Sequence, residues 1–191
     1  MPAKPGERKL QILQAIAEML EKPAGEKITT AALAARLDVS EAALYRHFAS
    51  KAQMFEGLIE FIESSVFSVI GQIESAEESG LRQAEAIVAS LLSFARKNRG
   101  LARVLTGDAI VHENPRLQAR INQLLDRVAS SLKQALKVAA TQGGLPEGHD
   151  FGAHADVMLC YVLGRWQRFV KGGFRDDPAA AWPAQWPILA R

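Results

Sequence analysis

Tyr45, Arg46, His47 and Lys51 bring four hydrogen-bond donors close together in the chain, beside two small side chains, Ala42 and Ala43. Hydroxyls at Thr29, Thr30 and Ser40 lie just upstream. This set suits nucleic acid. Phosphate oxygens accept from Tyr, His, Lys and hydroxyl donors, and these contacts hold a protein in register on a duplex. An arginine can span the O6 and N7 of a guanine, and an alanine methyl fits against a thymine methyl. Arg46 is therefore the candidate base reader, with Ala42 and Ala43 allowing close approach. Thr29, Thr30, Tyr45, His47 and Lys51 are the candidate backbone contacts.

Two short helices must position them. Thr29 and Thr30 are N-cap residue types ahead of a predicted helix over Ala31 to Leu37. Asp38 falls where a tight turn needs a left-handed residue, a conformation that Asp visits more readily than most. Ser40 recaps the chain, and Glu41 suits the start of a second helix over Glu41 to His47. In that helix Leu44 and Phe48 share one face, and Ala42 and Arg46 lie opposite. A helix this short is held only by packing. The pair reads as helix-turn-helix. The bland alternative, a helical hairpin inside any all-helical protein, explains the spacing but not the donors.

The remaining pattern is helical throughout, and the fold is read as all-α. Arg8 to Leu20 places Leu10, Leu13, Ile16, Ala17 and Leu20 on one stripe that can cover Leu33, Leu44 and Phe48. Pro23 and Gly25 end it. A long helix runs from Lys51 through Ile73, and a second over Leu81 to Phe94 ends at a C-cap signal, Asn98 and Gly100. A shorter piece follows over Leu101 to Val111, up to the breaker Asn114-Pro115. Arg116 to Thr141 and Phe151 to Val170 close the body, the latter apolar nearly all round. Such a helix must be buried nearly all round. A partner subunit covering it gives a homodimer through these two helices; a central helix inside a monomer is the other explanation. Pro178 to Arg191 is expected to pack as a short cap. Residues 1–51 are thus read as a DNA-binding unit and 52–191 as a helical body for dimerisation and partner binding.

The 191 residues carry 23 basic and 21 acidic side chains. Their small excess of positive charge lies within residues 1–51, where phosphate attraction needs it. No run of about 18 apolar residues exists to span a membrane, and no signal-peptide core precedes the first helix. The single cysteine, Cys160, excludes an intramolecular disulfide and fits a reducing cytoplasm. It lies in an apolar stretch, and inert packing is expected.

The string S-E-A-A-L-Y-R-H-F-A-S-K resembles the recognition-helix signature of the TetR family of bacterial regulators. Asp38 departs from the family's usual glycine in the turn. Three further blocks, ITTAALAARLDVSEAALYRHFASKAQMFEGLIEFIE, RGLARVLTGDAI and RLQARINQLLDR, are similar to the family's nucleoid occlusion branch. Weaker similarity continues to WP-x-x-WPILA. This resemblance implies a DNA-binding homodimer of the bacterial cytoplasm, associated with the nucleoid. It also implies that the DNA-bound form contacts the tubulin-like division protein FtsZ and blocks septum assembly. By the same resemblance, Phe61 and Asn98 match family partner-contact positions and Lys97 conserves a basic charge, while Val69, Ser90 and Ser93 depart.

A ligand-responsive repressor of the same family needs a pocket among the body helices, for which His112, Tyr161, Arg165 and Trp166 are the polar candidates. A protein-interaction module that no longer binds DNA is opposed by Tyr45, Arg46 and Lys51. Enzymatic chemistry is not expected. His47, His112, His149 and His154 show no convincing metal spacing, Gly143-Gly144 and Gly172-Gly173 follow helices rather than opening them, and no cofactor is implied.

Overall fold

The computed structural model describes residues 5–22 and 28–190. Its helices are α1 (Pro5–Leu20), α2 (Thr30–Arg36), α3 (Glu41–Tyr45), α4 (Lys51–Ala76), α5 (Gly80–Lys97), α6 (Arg99–Leu105), α7 (Pro115–Thr141), α8 (Phe151–Lys171) and α9 (Trp182–Leu189). No strand occurs among the described residues. Local chemistry explains where most of them start. Thr29, Ser40, Ser50, Ser79, Asn114 and Asp150 each stand just before a helix and accept a backbone N–H from its first turn. Pro115 adds the fixed φ that a first helical position tolerates. The Asp150 carboxyl is held below the ordinary carboxylate range by the N–H groups of Ala153 and Gly152.

α1 lies against α2, α4 and α6 and joins the α2–α3 pair to the body. Ile12, Ala15, Ile16 and Leu20 are its buried face, packed with Leu33, Leu44 and Phe48. This corrects the expected stripe by a rotation: Leu10 is 62% exposed, and Leu13 and Ala17 are only half-buried. The ends predicted from Pro23 and Gly25, and the cations Lys4 and Lys27, lie outside the described residues. Asp38 has φ 53°, as the short α2–α3 turn demands.

The body is a layer of α5, α7 and α8 with α4 alongside. Leu117, Ile121, Leu124, Val128, Leu132, Leu136 and Ala139 of α7 are buried, in the expected three–four spacing. Trp166 of α8 is fully buried at the centre, and its indole N–H donates to the Leu91 carbonyl at 3.1 Å. α8 is less enclosed than its composition suggests. Val157 is exposed, and α9 covers another side, with Trp182 and the Tyr161–Gln185 hydrogen bond against it. The tail packs as a short cap, as expected, and its capping element is the helix α9. Cys160 is exposed on α8, not packed inside. α3 ends two residues early, at Tyr45. α6 stops at Leu105, after which turns occupy the stretch expected to be helical up to Val111.

Gly100 has a different role from the C-cap expected of it. It lies in the first turn of α6, where a Cβ would fall 2.0 Å from the Ala17 carbonyl oxygen. Only glycine lets α6 approach α1 so closely. Asn98 does cap α5: its backbone N–H and its side-chain amide both donate to the Phe94 carbonyl at 2.9 Å.

Candidate functional site

Two surfaces emerge, joined by α1 and α4. The first is the reader. Ser40 accepts from the Ala43 N–H at 3.2 Å and Thr29 from the Ala32 N–H at 3.1 Å, so both hydroxyls first serve as caps. Thr30 donates to Glu41 Oε2 at 2.5 Å and ties the start of α2 to the start of α3. Leu44 is buried, and it anchors α3 from below. What α3 turns outward is Ala42, Tyr45 and Arg46, all exposed, with Ala43 and His47 half-buried beside them. Among the described residues Arg46 has neither an ion-pair nor a side-chain hydrogen-bond partner. Lys51 differs from these. Its ammonium is engaged by the Glu113 carboxylate, from the segment that links α6 to α7, and it lies over the Phe55 ring.

The second surface is a groove of about 380 Å³ between α1, α4 and the α5–α6 junction. Leu10, Leu13 and Ala17 form one wall, Leu58 and Phe61 another, and Lys97, Asn98 and Leu101 close it. Phe61 is 47% exposed and leaves an apolar ring at the edge of this groove. Past Lys97 and Asn98 a second cleft of about 210 Å³ continues between α4 and α5, lined by Ser65, Val69, Ser90, Ser93 and Phe94. The structure thus brings together Phe61, Lys97 and Asn98, and places Val69, Ser90 and Ser93 beside them. Sequence reasoning missed Leu10 and Leu13. Both fall on the stripe expected to be buried, and only the packing of α4 and α6 turns them to the groove.

The body offers less. His112 is exposed on the α6–α7 segment, Tyr161 donates to Gln185, and Arg165 donates to the carbonyls of Pro178 and Asp177. With Trp166 bonded to Leu91, these four candidates for an effector pocket do not converge. His149 and His154 are joined ring to ring at 2.8 Å, and His154 bonds the Leu189 carbonyl, so the pair clasps α9. No group of three metal-ligating side chains occurs among the described residues. No helix among them is long and apolar enough to cross a membrane. On α8 and α9 Val157 and Ile188 are exposed, and a Cβ at Gly164 would meet no neighbour. The outward positions of α7, such as Gln123, Asp126, Ser130 and Lys133, are polar.

Comparison with known proteins gives this geometry a context. The model of bacterial regulatory proteins of the tetR family matches residues 12–58. The tetracyclin repressor-like C-terminal domain model, SlmA-like, matches residues 78–191. The nucleoid occlusion factor SlmA of Marinomonas sp. (strain MWYL1) is 45% identical over 191 residues, all of this chain and 97% of that protein. That of Alteromonas mediterranea is 46% identical over 187 residues, covering 97% and 96% of the two chains. Among solved structures, the fatty acid degradation regulator FadR from Bacillus halodurans superposes with TM-score 0.80 at 16% identity, covering 100% of this chain and 97% of that one. AibR, in complex with isovaleryl coenzyme A and operator DNA, gives 0.76 at 17%, covering 95% and 97%. At such identities these structures speak for the fold alone.

Proposed function

Since this chain belongs to the SlmA family of TetR-type proteins, we propose that it is a nucleoid occlusion factor, a DNA-binding regulator and not an enzyme. It binds specific chromosomal sites as a homodimer and, while bound, inhibits FtsZ-dependent septum assembly over the nucleoid in the cytoplasm. Residues 1–51 form the DNA-binding unit and residues 52–191 the body for dimerisation and partner binding. Each dimer sets two α3 helices into successive major grooves, so the site is a near-palindrome. Arg46 reads a guanine, and Ala42 and Ala43 meet thymine methyls. Thr29, Thr30, Ser40, Tyr45, His47 and Lys51 hold the phosphates.

The two-fold contact runs through α7 and α8, where the exposed Val157 and the half-buried Leu125 and Ala129 are apolar positions that a partner's helices can cover.

The observation that carries the reading is the groove beside the reader. It has an apolar floor, Phe61 at its edge, and both Lys97 and Glu21 in its lining, which suits an extended segment with an apolar anchor and charges of both signs beside it. One wall belongs to α1, so any shift of the reader on DNA is felt by whatever occupies the groove. The test mixes purified protein and its DNA site with polymerising FtsZ and follows light scattering. Protein with DNA should reorganise or inhibit the polymers more than protein without. Phe61→Ala should abolish that effect and leave DNA affinity intact. Indifference of FtsZ to the DNA-bound protein sinks the proposal. The ligand-responsive repressor has no observation in its favour, because its candidate pocket residues do not converge: Tyr161, Arg165 and Trp166 are bonded elsewhere and His112 is exposed.

A further inference from the structure

The contact between Lys51 and Glu113 spans 62 residues and joins the first residue of α4 to the segment before α7. It is the end rung of a ladder. Further along, Arg116 pairs with Glu56 at 2.7 Å and Arg120 pairs with Glu63 through two bonds, 2.7 and 3.3 Å. In those two rungs α4 supplies the acid and α7 the base. In the rung nearest the reader the polarity is reversed, with the cation on α4. A ladder that merely fastened two helices would have no reason to change sign at that end.

Glu113 is also fixed in place. Its N–H donates to the Ile110 carbonyl at 2.9 Å, and Asn114, which follows it, caps α7. Both side chains are largely shielded, 22% exposed for Lys51 and 14% for Glu113. A pair that is partly withdrawn from water is screened less than a surface pair. A phosphate approaching Lys51 therefore meets a cation whose charge is already answered.

We infer that Glu113 is an intramolecular competitor for DNA phosphate. Its carboxylate holds the Lys51 ammonium in the free protein, DNA must displace it, and Glu113 thereby lowers affinity for every sequence alike. The inference rests on the DNA-binding reading above, and its failure is separable from the failure of that reading.

The experiment titrates the full-length protein against a labelled mixed-sequence duplex over a range of salt. Glu113→Gln keeps the side-chain volume and removes the charge. It should bind roughly three- to tenfold more tightly at low salt and add up to about one unit to the slope of log affinity against log salt. Lys51→Ala should bind more weakly, and Lys51→Ala/Glu113→Gln should match Lys51→Ala alone. Thermal melting verifies that each variant is folded. Unchanged or weaker binding by Glu113→Gln overturns the inference, since Glu113 would then orient Lys51 rather than occupy it. A gain that persists without Lys51 overturns it too, because Glu113 would act by general repulsion. If Lys51→Ala binds normally while Arg46→Ala does not, the inference fails and the DNA-binding reading stands. If the native chain binds no duplex, the reading itself fails.

Discussion

The reader and the body are built to different standards of rigidity. α2 and α3 bury only Leu33, Ala34 and Leu44 between them, and their other side chains face outward or serve as caps. α7 alone buries eight residues along its length, against α5 and α8. Helices as short as α2 and α3 have no independent stability and depend on those few anchors. In the proposed dimer the body would hold its shape and set the spacing of two readers, while each reader would settle locally onto DNA. The sharpest test compares Leu132→Ala with Leu44→Ala. The first opens a cavity in the body and should cost about 2–5 kcal/mol, read as a lower midpoint in urea unfolding. The second should abolish DNA binding while the main transition moves far less. Equal shifts in that transition would make reader and body one cooperative unit.

Gly100 probes the seam between the two regions. A Cβ there meets the Ala17 carbonyl backbone, which cannot swing aside like a side chain. Gly100→Ala should cost about 1–3 kcal/mol through overpacking. It should also push α1 from α6, impairing DNA affinity and the effect on FtsZ together. Phe61→Ala should impair only the effect on FtsZ, and Arg46→Ala should weaken that effect only as far as it lowers occupancy of the DNA site. Loss of a single activity in Gly100→Ala would show that the reader and the groove tolerate α1 movement independently.

How much of this was legible in the sequence follows from the range of the forces involved. The caps at Thr29, Ser40 and Ser50, the positive φ at Asp38 and the stripe of α7 are local, and each was readable from residue type and spacing. The rotation of α1 was not. Leu10, Leu13 and Ala17 make a plausible stripe, but so do Ile12, Ala15 and Ile16, and only the position of α4 and α6 decides which one is buried. Gly100 was misread for a similar reason: its neighbour Ala17 is 83 residues away. The groove shares this origin, since its walls come from α1, α4 and the α5–α6 junction. Lys51 was legible as a cation at the reader, but its partner Glu113 was not.

On the reader itself, Arg46→Ala should cost about 1–3 kcal/mol in binding to the native site and relax specificity at one position. Loss on a mixed-sequence duplex should be smaller. A fluorescence-anisotropy titration of both duplexes measures the difference. An equal loss on both would move Arg46 from base reading to phosphate contact, and would leave the small faces of Ala42 and Ala43 as the source of specificity.

The smallest expected effect lies again at the seam. Arg103 donates to Asp108 at 2.7 Å and reaches the carbonyls of Leu20 and Lys22 at the end of α1, while Lys171 at the end of α8 donates to the same Asp108 at 2.9 Å. Burial by itself raises the Asp108 pKa. The hydrogen bonds from Lys171 and Arg103 outweigh it and hold the carboxyl below its ordinary value. A carboxylate with a depressed pKa in the folded protein binds fewer protons there than in the unfolded chain, so stability rises with pH across that interval. The contribution is present in full above the ordinary carboxylate value of about 3.9 and is lost as pH falls through the lower folded value. Urea midpoints measured from neutral pH downward should therefore show Asp108→Asn less stable by a constant offset that closes in acid below about pH 4. An offset that persists there would mean that Asp108 acts through shape rather than charge. Closure would place the acid-sensitive link between α1 and α8, where reader and body meet, and not within either.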